Sequence, residues 1–269
     1  MDTQKIFLRQ DDKDVTLTTY IANKGENKCD AILVLPGGGY THLCVDREGE
    51  PVALEFAKRG FNAFVLEYSV GEKASAFRPL IDASLAMAYI KRHSDEFNIN
   101  PDRVFVAGFS AGGHLAASLG TMWNSEVVYK NTDIKHGENK PKGMMPLYPV
   151  VTSNENETHI GSFKTLLGKD NPTRDELDIF SLEKHVSEDT VPAFIAATAT
   201  DPTVPVHSSL YLAIALAKQN IPFELHIYPK GPHGLALGTS ATSNGNPNLE
   251  YDRFAHWVED ACAWIKEVF

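Results

Sequence analysis

Two hydrophobic rhythms alternate along this chain. Continuous or alternating apolar runs of about four to eight residues mark strands, and apolar positions three and four apart mark helices. Ile6 to Arg9 and Val15 to Ile21 alternate as strands, with the charged stretch Gln10 to Asp14 as the turn of an edge hairpin. Ala31 to Leu35 is apolar throughout, the pattern of a strand buried on both faces. Glu48 to Lys58 then carries Val52, Ala53, Phe56 and Ala57 at helical spacing, with Pro51 in its first turn and Gly60 as its stop. Phe61 to Tyr68 is a further strand, and Pro79 to Arg92 is an amphipathic helix built on Leu80, Ala83, Met87, Ala88 and Ile90. Asn100 to Arg103 reads as a turn leading into the strand from Val104, and small helix formers begin at Ala111. Lys142 to Val151, Pro192 to Thr198 and Phe223 to Tyr228 add strands, and His207 to Lys218 and Tyr251 to Phe269 add helices.

Strand and helix in turn predict an α/β fold, with a mostly parallel central sheet of about eight strands and helices on both faces. The length suits one domain over 1–269. Two polar excursions, near 121–142 and 152–190, are candidates to rim or cap a site.

Composition narrows the function classes. The net charge is −10 with both signs mixed along the chain, so there is no basic footprint for nucleic acid or an anionic membrane. Cys29, Cys44 and Cys262 are odd in number, far apart and without metal-ligand spacing, as expected of free thiols serving as small buried hydrophobes in a reducing compartment. Met1 to Asp14 is charged and polar, unlike a signal peptide, and no stretch reaches the roughly 18 apolar residues of a membrane span. A cytoplasmic location is expected. No His-Glu-x-x-His or Cys/His cluster is present, so neither a metal nor another cofactor is expected.

Chemistry concentrates at Gly108-Phe109-Ser110-Ala111-Gly112, placed between a strand and a helix. Such a turn holds a strained serine with its hydroxyl at the sheet's C-terminal edge, flanked by glycines where side chains would collide. Gly37-Gly38-Gly39 follows the Ala31 strand, and three glycines in succession need a reason. A phosphate cradle would require a Gly-Lys-Ser/Thr sequence that is missing, and a plain flexible turn is the bland alternative. The favoured reading is an oxyanion hole, with N–H donors from Gly38, Gly39 and Ala111.

A serine nucleophile needs a base and a group to orient that base. Of ten histidines, His233 stands in a glycine-flanked loop after the last strand, and Asp201 ends another strand at the ligand-binding edge. Ser110, Asp201 and His233 are therefore the candidate triad. His114, one helical turn after Ser110, reads as a hydrogen-bonded core residue, and Asp82 as a first-turn acid favoured by the helix dipole. Trp123 and Tyr148 are candidates for stacking on a sugar or aryl group, or for core packing.

Pro36-Gly37-Gly38-Gly39-Tyr40, Gly108 to Ala116, Asp201-x-x-Val204-Pro205 and Gly231-Pro232-His233-Gly234-Leu235 together resemble the acetylxylan-esterase-like branch of the α/β-hydrolases, which includes bifunctional acetylxylan and feruloyl esterases. The order Ser110, Asp201, His233 is that superfamily's order. The resemblance runs from the first glycine loop to the final helix and implies an α/β-hydrolase fold and removal of small acyl groups from sugar hydroxyls. The chain is also similar to prolyl-oligopeptidase-type and acylaminoacyl peptidases, although it carries no propeller repeats. A catalytically silent binding protein is a third reading. Pro36 stands where many hormone-sensitive-lipase-like relatives have His, and Thr200 where relatives often have a first Asp. The expected substrate is a small-molecule or oligosaccharide ester, with Tyr40, Phe109 and Trp123 as candidate substrate-binding residues. Oligomeric state is not fixed by the sequence.

Overall fold

Eight strands form one sheet in the order β1-β2-β4-β3-β5-β6-β7-β8. They are β1 (Lys5–Phe7), β2 (Thr16–Tyr20), β3 (Cys29–Leu35), β4 (Asn62–Glu67), β5 (Ile99–Phe109), β6 (Met144–Leu147), β7 (Ala193–Thr198) and β8 (Phe223–Tyr228). The pairs β1/β2 and β2/β4 are antiparallel, and every pair from β4 to β8 is parallel. The expected fold class is the observed one. This computed structural model describes residues 1–130 and 132–269; residue 131, inside the excursion expected at 121–142, lies outside the described residues.

The helices are α1 (Val45–Glu48), α2 (Glu50–Ala57), α3 (Arg78–Arg92), α4 (Ala111–Met122), α5 (Glu126–Tyr129), α6 (Ile160–Leu167), α7 (Arg174–Asp178), α8 (His207–Lys218), α9 (Asp252–Ala255) and α10 (Trp257–Val268). Both excursions thus contain short helices. The α7 helix is opened by a capping box in which Thr173 and Glu176 satisfy each other's backbone N–H groups.

Side-chain alternation on β3 and β5 explains why both read as apolar throughout. Leu33, Leu35, Val104 and Val106 face a core layer with residues of α3, α4 and α8, whereas Ile32, Val34, Phe105 and Ala107 face Phe56 of α2 and Trp257 of α10. Burial on both sides leaves no polar face to show a period.

The helix expected over Tyr251 to Phe269 is two, α9 and α10, parted at His256, and three further expectations need correction. The single helix expected over 48–58 is two helices, because Gly49 leaves helical geometry at φ −102°, ψ −101° and Pro51 suits a fresh first turn. The strand expected from Val104 begins at Ile99, since Cys29 pairs with Ile99 and a register shift before Ala31 absorbs the turn-like residues between. Asp82 is not a surface acid of a helix start. It is fully buried, accepts the Ser69 N–H at 3.0 Å and the Arg9 guanidinium at 3.1 Å, and ties the edge hairpin to the end of β4; burial pushes its carboxyl up. No helix among the described residues is long and apolar enough to cross a membrane.

Candidate active site

Ser110 stands between β5 and α4 at φ 55°, ψ −116°. A β-carbon on Gly108 would lie 2.0 Å from the Gly112 carbonyl oxygen, and one on Gly112 would lie 2.1 Å from that of Leu35. Each glycine is therefore required by close backbone approach. A strained residue costs about 1–3 kcal/mol and persists where its surroundings over-determine it. Here the Ser110 N–H donates to Leu147 O at 3.0 Å, while its carbonyl accepts the N–H groups of His114 and Val150 at 2.9 and 3.2 Å.

The structure brings the three candidate triad residues together from three separate loops. His233 Nε2 lies 2.7 Å from Ser110 Oγ, and His233 Nδ1 lies 2.6 Å from Asp201 Oδ2. The other Asp201 oxygen accepts the N–H groups of Thr203 and Val204, at 2.8 and 3.0 Å. With Oδ1 engaged by these backbone donors, Oδ2 is placed to accept from Nδ1–H, and in that tautomer Nε2 is free to accept the Ser110 hydroxyl proton. Thr200 has a place in this arrangement: its hydroxyl accepts the Gly231 N–H at 3.1 Å and tethers the loop that carries His233.

The glycine loop after β3 faces the same point. Gly38 at φ 131° and Gly39 at φ 64° have glycine-type backbones. The Gly38 carbonyl accepts the N–H groups of Thr41 and His42, and the Gly37 N–H donates to Glu48. Among the described residues, the N–H groups of Gly38, Gly39 and Ala111 meet no acceptor. Ala111 opens α4, where an unpaired N–H is inherent to a helix start and carries partial positive charge. Gly38, Gly39, Ser110 and His233 border one cleft of about 310 Å³. Two larger depressions, of about 560 and 600 Å³, contain none of these residues.

A Gly38→Ala substitution would set a β-carbon 2.1 Å from the His42 carbonyl oxygen, so the loop must shift. We expect kcat on a short acyl ester to fall about 100- to 1,000-fold, the cost of an oxyanion donor, in kinetics normalised to titrated active sites.

Tyr40, Phe109 and Trp123 do not border this cleft, contrary to expectation. Tyr40, 1% exposed, turns inward at φ 62° and its hydroxyl meets His114 Nδ1 at 2.8 Å. Phe109 is fully buried because the strand period sends it to the face beneath the elbow, where its ring meets those of Tyr148 and Trp257. Trp123, 6% exposed, follows the far end of α4 from Ser110 and donates its indole N–H to Asp189 O at 2.9 Å. The cleft walls instead include His42, Cys44, Arg47, Glu48, His159 and Thr203.

His159 comes from the excursion 152–190; no described residue of 121–142 borders the cleft. Burial, and the imidazole of His233 nearby, lower the His159 pKa. All three cysteines are free thiols, but only Cys262 is buried; Cys29 and Cys44 are partly exposed, so the expectation of buried hydrophobes fails for those two. His114 is a core residue: buried, with Nε2 on Phe180 O at 2.9 Å, and held at a pKa of about 4 by desolvation.

A profile of the BD-FAE family matches residues 17–216. The chain belongs to the BD-FAE family. It is 40% identical over 238 residues to endo-1,4-beta-xylanase B of Butyrivibrio fibrisolvens, an alignment covering 87% of this chain and 37% of that protein. It is 31% identical over 212 residues to an acetylxylan esterase of Xylanibacter ruminicola, covering 78% of this chain and 42% of the relative. The chain thus spans well under half the length of either relative. Among solved structures, an acetyl ester-xyloside bifunctional hydrolase from Caldicellulosiruptor lactoaceticus superposes with a TM-score of 0.84 at 35% identity, covering 98% of this chain and 96% of that one. These likenesses agree with the α/β-hydrolase fold described above.

Sequence reasoning missed Arg47 and Glu48, which hold the His233 loop and the glycine loop of this BD-FAE site. Tyr148, expected to stack on a substrate or to pack in the core, is a buried core residue whose hydroxyl donates to Glu48. Glu48 carries no local signal, because an acid at a helix terminus reads as a solvated charge. Its burial arises only when β6 and the loop after β8 fold over it.

Proposed function

We propose that this BD-FAE chain is a serine esterase that removes acetyl or other short acyl groups from xylo-oligosaccharides or related carbohydrate esters, through an acyl-enzyme on Ser110. The observation that carries this reading is the hydrogen bond from Ser110 to His233 Nε2, set beside three unpaired N–H groups. A serine hydroxyl is a weak nucleophile at neutral pH and needs that base.

As Ser110 Oγ attacks the ester carbonyl, His233 Nε2 takes its proton, and Asp201 stabilises the imidazolium. The developing oxyanion accepts from Gly38, Gly39 and Ala111, whose N–H groups are already in place and need no reorganisation. His233 then protonates the departing alcohol. A water, deprotonated by the same imidazole, attacks the acyl-serine carbonyl, and collapse of that intermediate returns the proton to Ser110. The cleft volume suits a short acyl chain. The sugar alcohol is supported by the printed identities of the relatives, an acetylxylan esterase and an acetyl ester-xyloside hydrolase.

The test is labelling by a fluorophosphonate with peptide mapping, followed by turnover of acetylated xylo-oligosaccharides, a p-nitrophenyl ester series and amino-acid p-nitroanilides. The expected results are a label on Ser110, falling kcat/KM as the acyl chain lengthens, and deacetylation of the oligosaccharide. Faster anilide than ester cleavage would make the protein a peptidase, and a well-folded protein with an unlabelled Ser110 would make it a binding protein.

A further inference from the structure

Glu48 is 2% exposed, and no cation among the described residues pairs with it within 4.0 Å. A buried carboxylate costs several kcal/mol unless its oxygens are hydrogen-bonded, about as much as many whole side-chain contacts contribute. The two oxygens of Glu48 reach two different loops. Oε2 accepts the Gly37 N–H at 2.7 Å, and Oε1 accepts the Tyr148 hydroxyl at 2.8 Å. Tyr148 in turn accepts the Ala236 N–H at 2.9 Å, and its ring meets the His233 imidazole edge-on with centroids 5.1 Å apart. The neighbouring Arg47 donates to Gly234 O at 2.9 Å, one residue beyond His233.

We propose that Glu48 is a positioning residue for acyl transfer: acting through the Gly37 amide and the Tyr148 hydroxyl, its carboxylate fixes the glycine loop against the His233 imidazole, and its charge favours the imidazolium formed in turnover. This rests on the reading of Ser110 as nucleophile. Gly37 is spent on Glu48, which leaves Gly38 and Gly39 as the loop's free donors. The packing is close, since a β-carbon on Gly37 would lie 2.8 Å from Glu48 Oε2 and 3.1 Å from the Ser110 β-carbon. Burial pushes the Glu48 carboxyl up, while the Gly37 and Tyr148 hydrogen bonds to its two oxygens favour the carboxylate.

The charges around the two groups fix the sign of the effect. His233 faces Asp201, Ser110 and the Tyr148 ring, with Arg47 on the adjacent carbonyl, and His42, Cys44 and His159 bordering the same cleft. Glu48 faces Tyr148, with Arg47, Cys44 and Tyr68 nearby. Removing the Glu48 charge leaves the Arg47 guanidinium uncompensated beside the imidazole. The imidazolium is then disfavoured, and His233 titrates at lower pH.

Glu48→Gln removes the charge and keeps the volume. With p-nitrophenyl acetate and active sites counted by fluorophosphonate, kcat is expected to fall about 10- to 100-fold with KM within about twofold, as for a small misplacement of reacting groups. The acid limb of kcat/KM moves down by about half a pH unit, as does the His233 titration followed by NMR. Tyr148→Phe keeps the ring and removes the hydroxyl that joins Glu48 to the Ala236 N–H, so it lowers kcat about tenfold. Wild-type kcat per titrated site together with an unmoved His233 titration overturns the proposal, and so does a lowered Tm as the sole change. If Glu48→Gln does not fold, Tyr148→Phe decides, and wild-type kcat there overturns it. If the wild-type protein neither labels nor hydrolyses the ester, the nucleophile reading falls, and the NMR titration alone then decides on the electrostatic role.

Discussion

Ser110→Ala is expected to lower kcat on short acyl esters by about a millionfold, to the level set by binding and the oxyanion donors alone, and to abolish fluorophosphonate labelling. The geometry explains why the loss is chemical and not structural. Alanine meets the same backbone strain at φ 55° as serine, and the bonds of residue 110 to Leu147, His114 and Val150 are all made by its main chain. The only group removed is the hydroxyl 2.7 Å from His233. Thermal melting should therefore stay close to that of the wild type while turnover disappears. Residual activity above about one percent of wild type would move the nucleophile elsewhere, because loss of a true nucleophile leaves far less than that.

Asp201→Asn should cost about ten-thousandfold in kcat, and the reason is which atom the amide must turn toward the imidazole. Asp201 Oδ1 accepts two backbone N–H groups, from Thr203 and Val204. An asparagine there keeps its oxygen on those donors, since its NH₂ group facing them would leave three donors without an acceptor. The NH₂ group is then directed at His233 Nδ1, which must accept, and the ring proton moves to Nε2. Nε2–H faces Ser110 and cannot take its proton. Nitrogen chemical shifts of His233 read the tautomer directly. An Nδ1–H tautomer in the variant, or kcat within tenfold of wild type, would contradict the assignment of Asp201 as the orienting acid.

The elements of the fold were legible where burial is regular. The apolar run at Ala31 to Leu35 and the alternating clusters of the helix at Pro79 to Arg92 each record one dominant environment, and the chain places them as β3 and α3. Boundaries were less legible where pairing overrides local preference. Pro101 and Asp102 look like a turn, yet they lie within β5 because Cys29 pairs with Ile99.

The candidate site divides along the same line. Ser110 and Gly38 were visible because strained turns and close backbone approach demand glycine at fixed offsets, a constraint that local sequence expresses. Tyr40, Phe109 and Trp123 were misplaced because proximity in sequence to a site says nothing about which way a ring points. Strand alternation and the inward turn at Tyr40 send all three away from the cleft.

The amino-acid sequence by itself determined the alternating strand and helix plan, the strained serine turn and the glycine loop, since each depends on neighbours a few residues apart. Tertiary structure decided what burial and distant partners control. Asp82 became a buried link to Arg9, and Glu48 a concealed carboxyl group joining two loops. The physical reason is that a charged or polar side chain reports its function through the solvent it loses and the donors it gains, and these come from segments about a hundred residues apart along the chain, as with Glu48 and Tyr148.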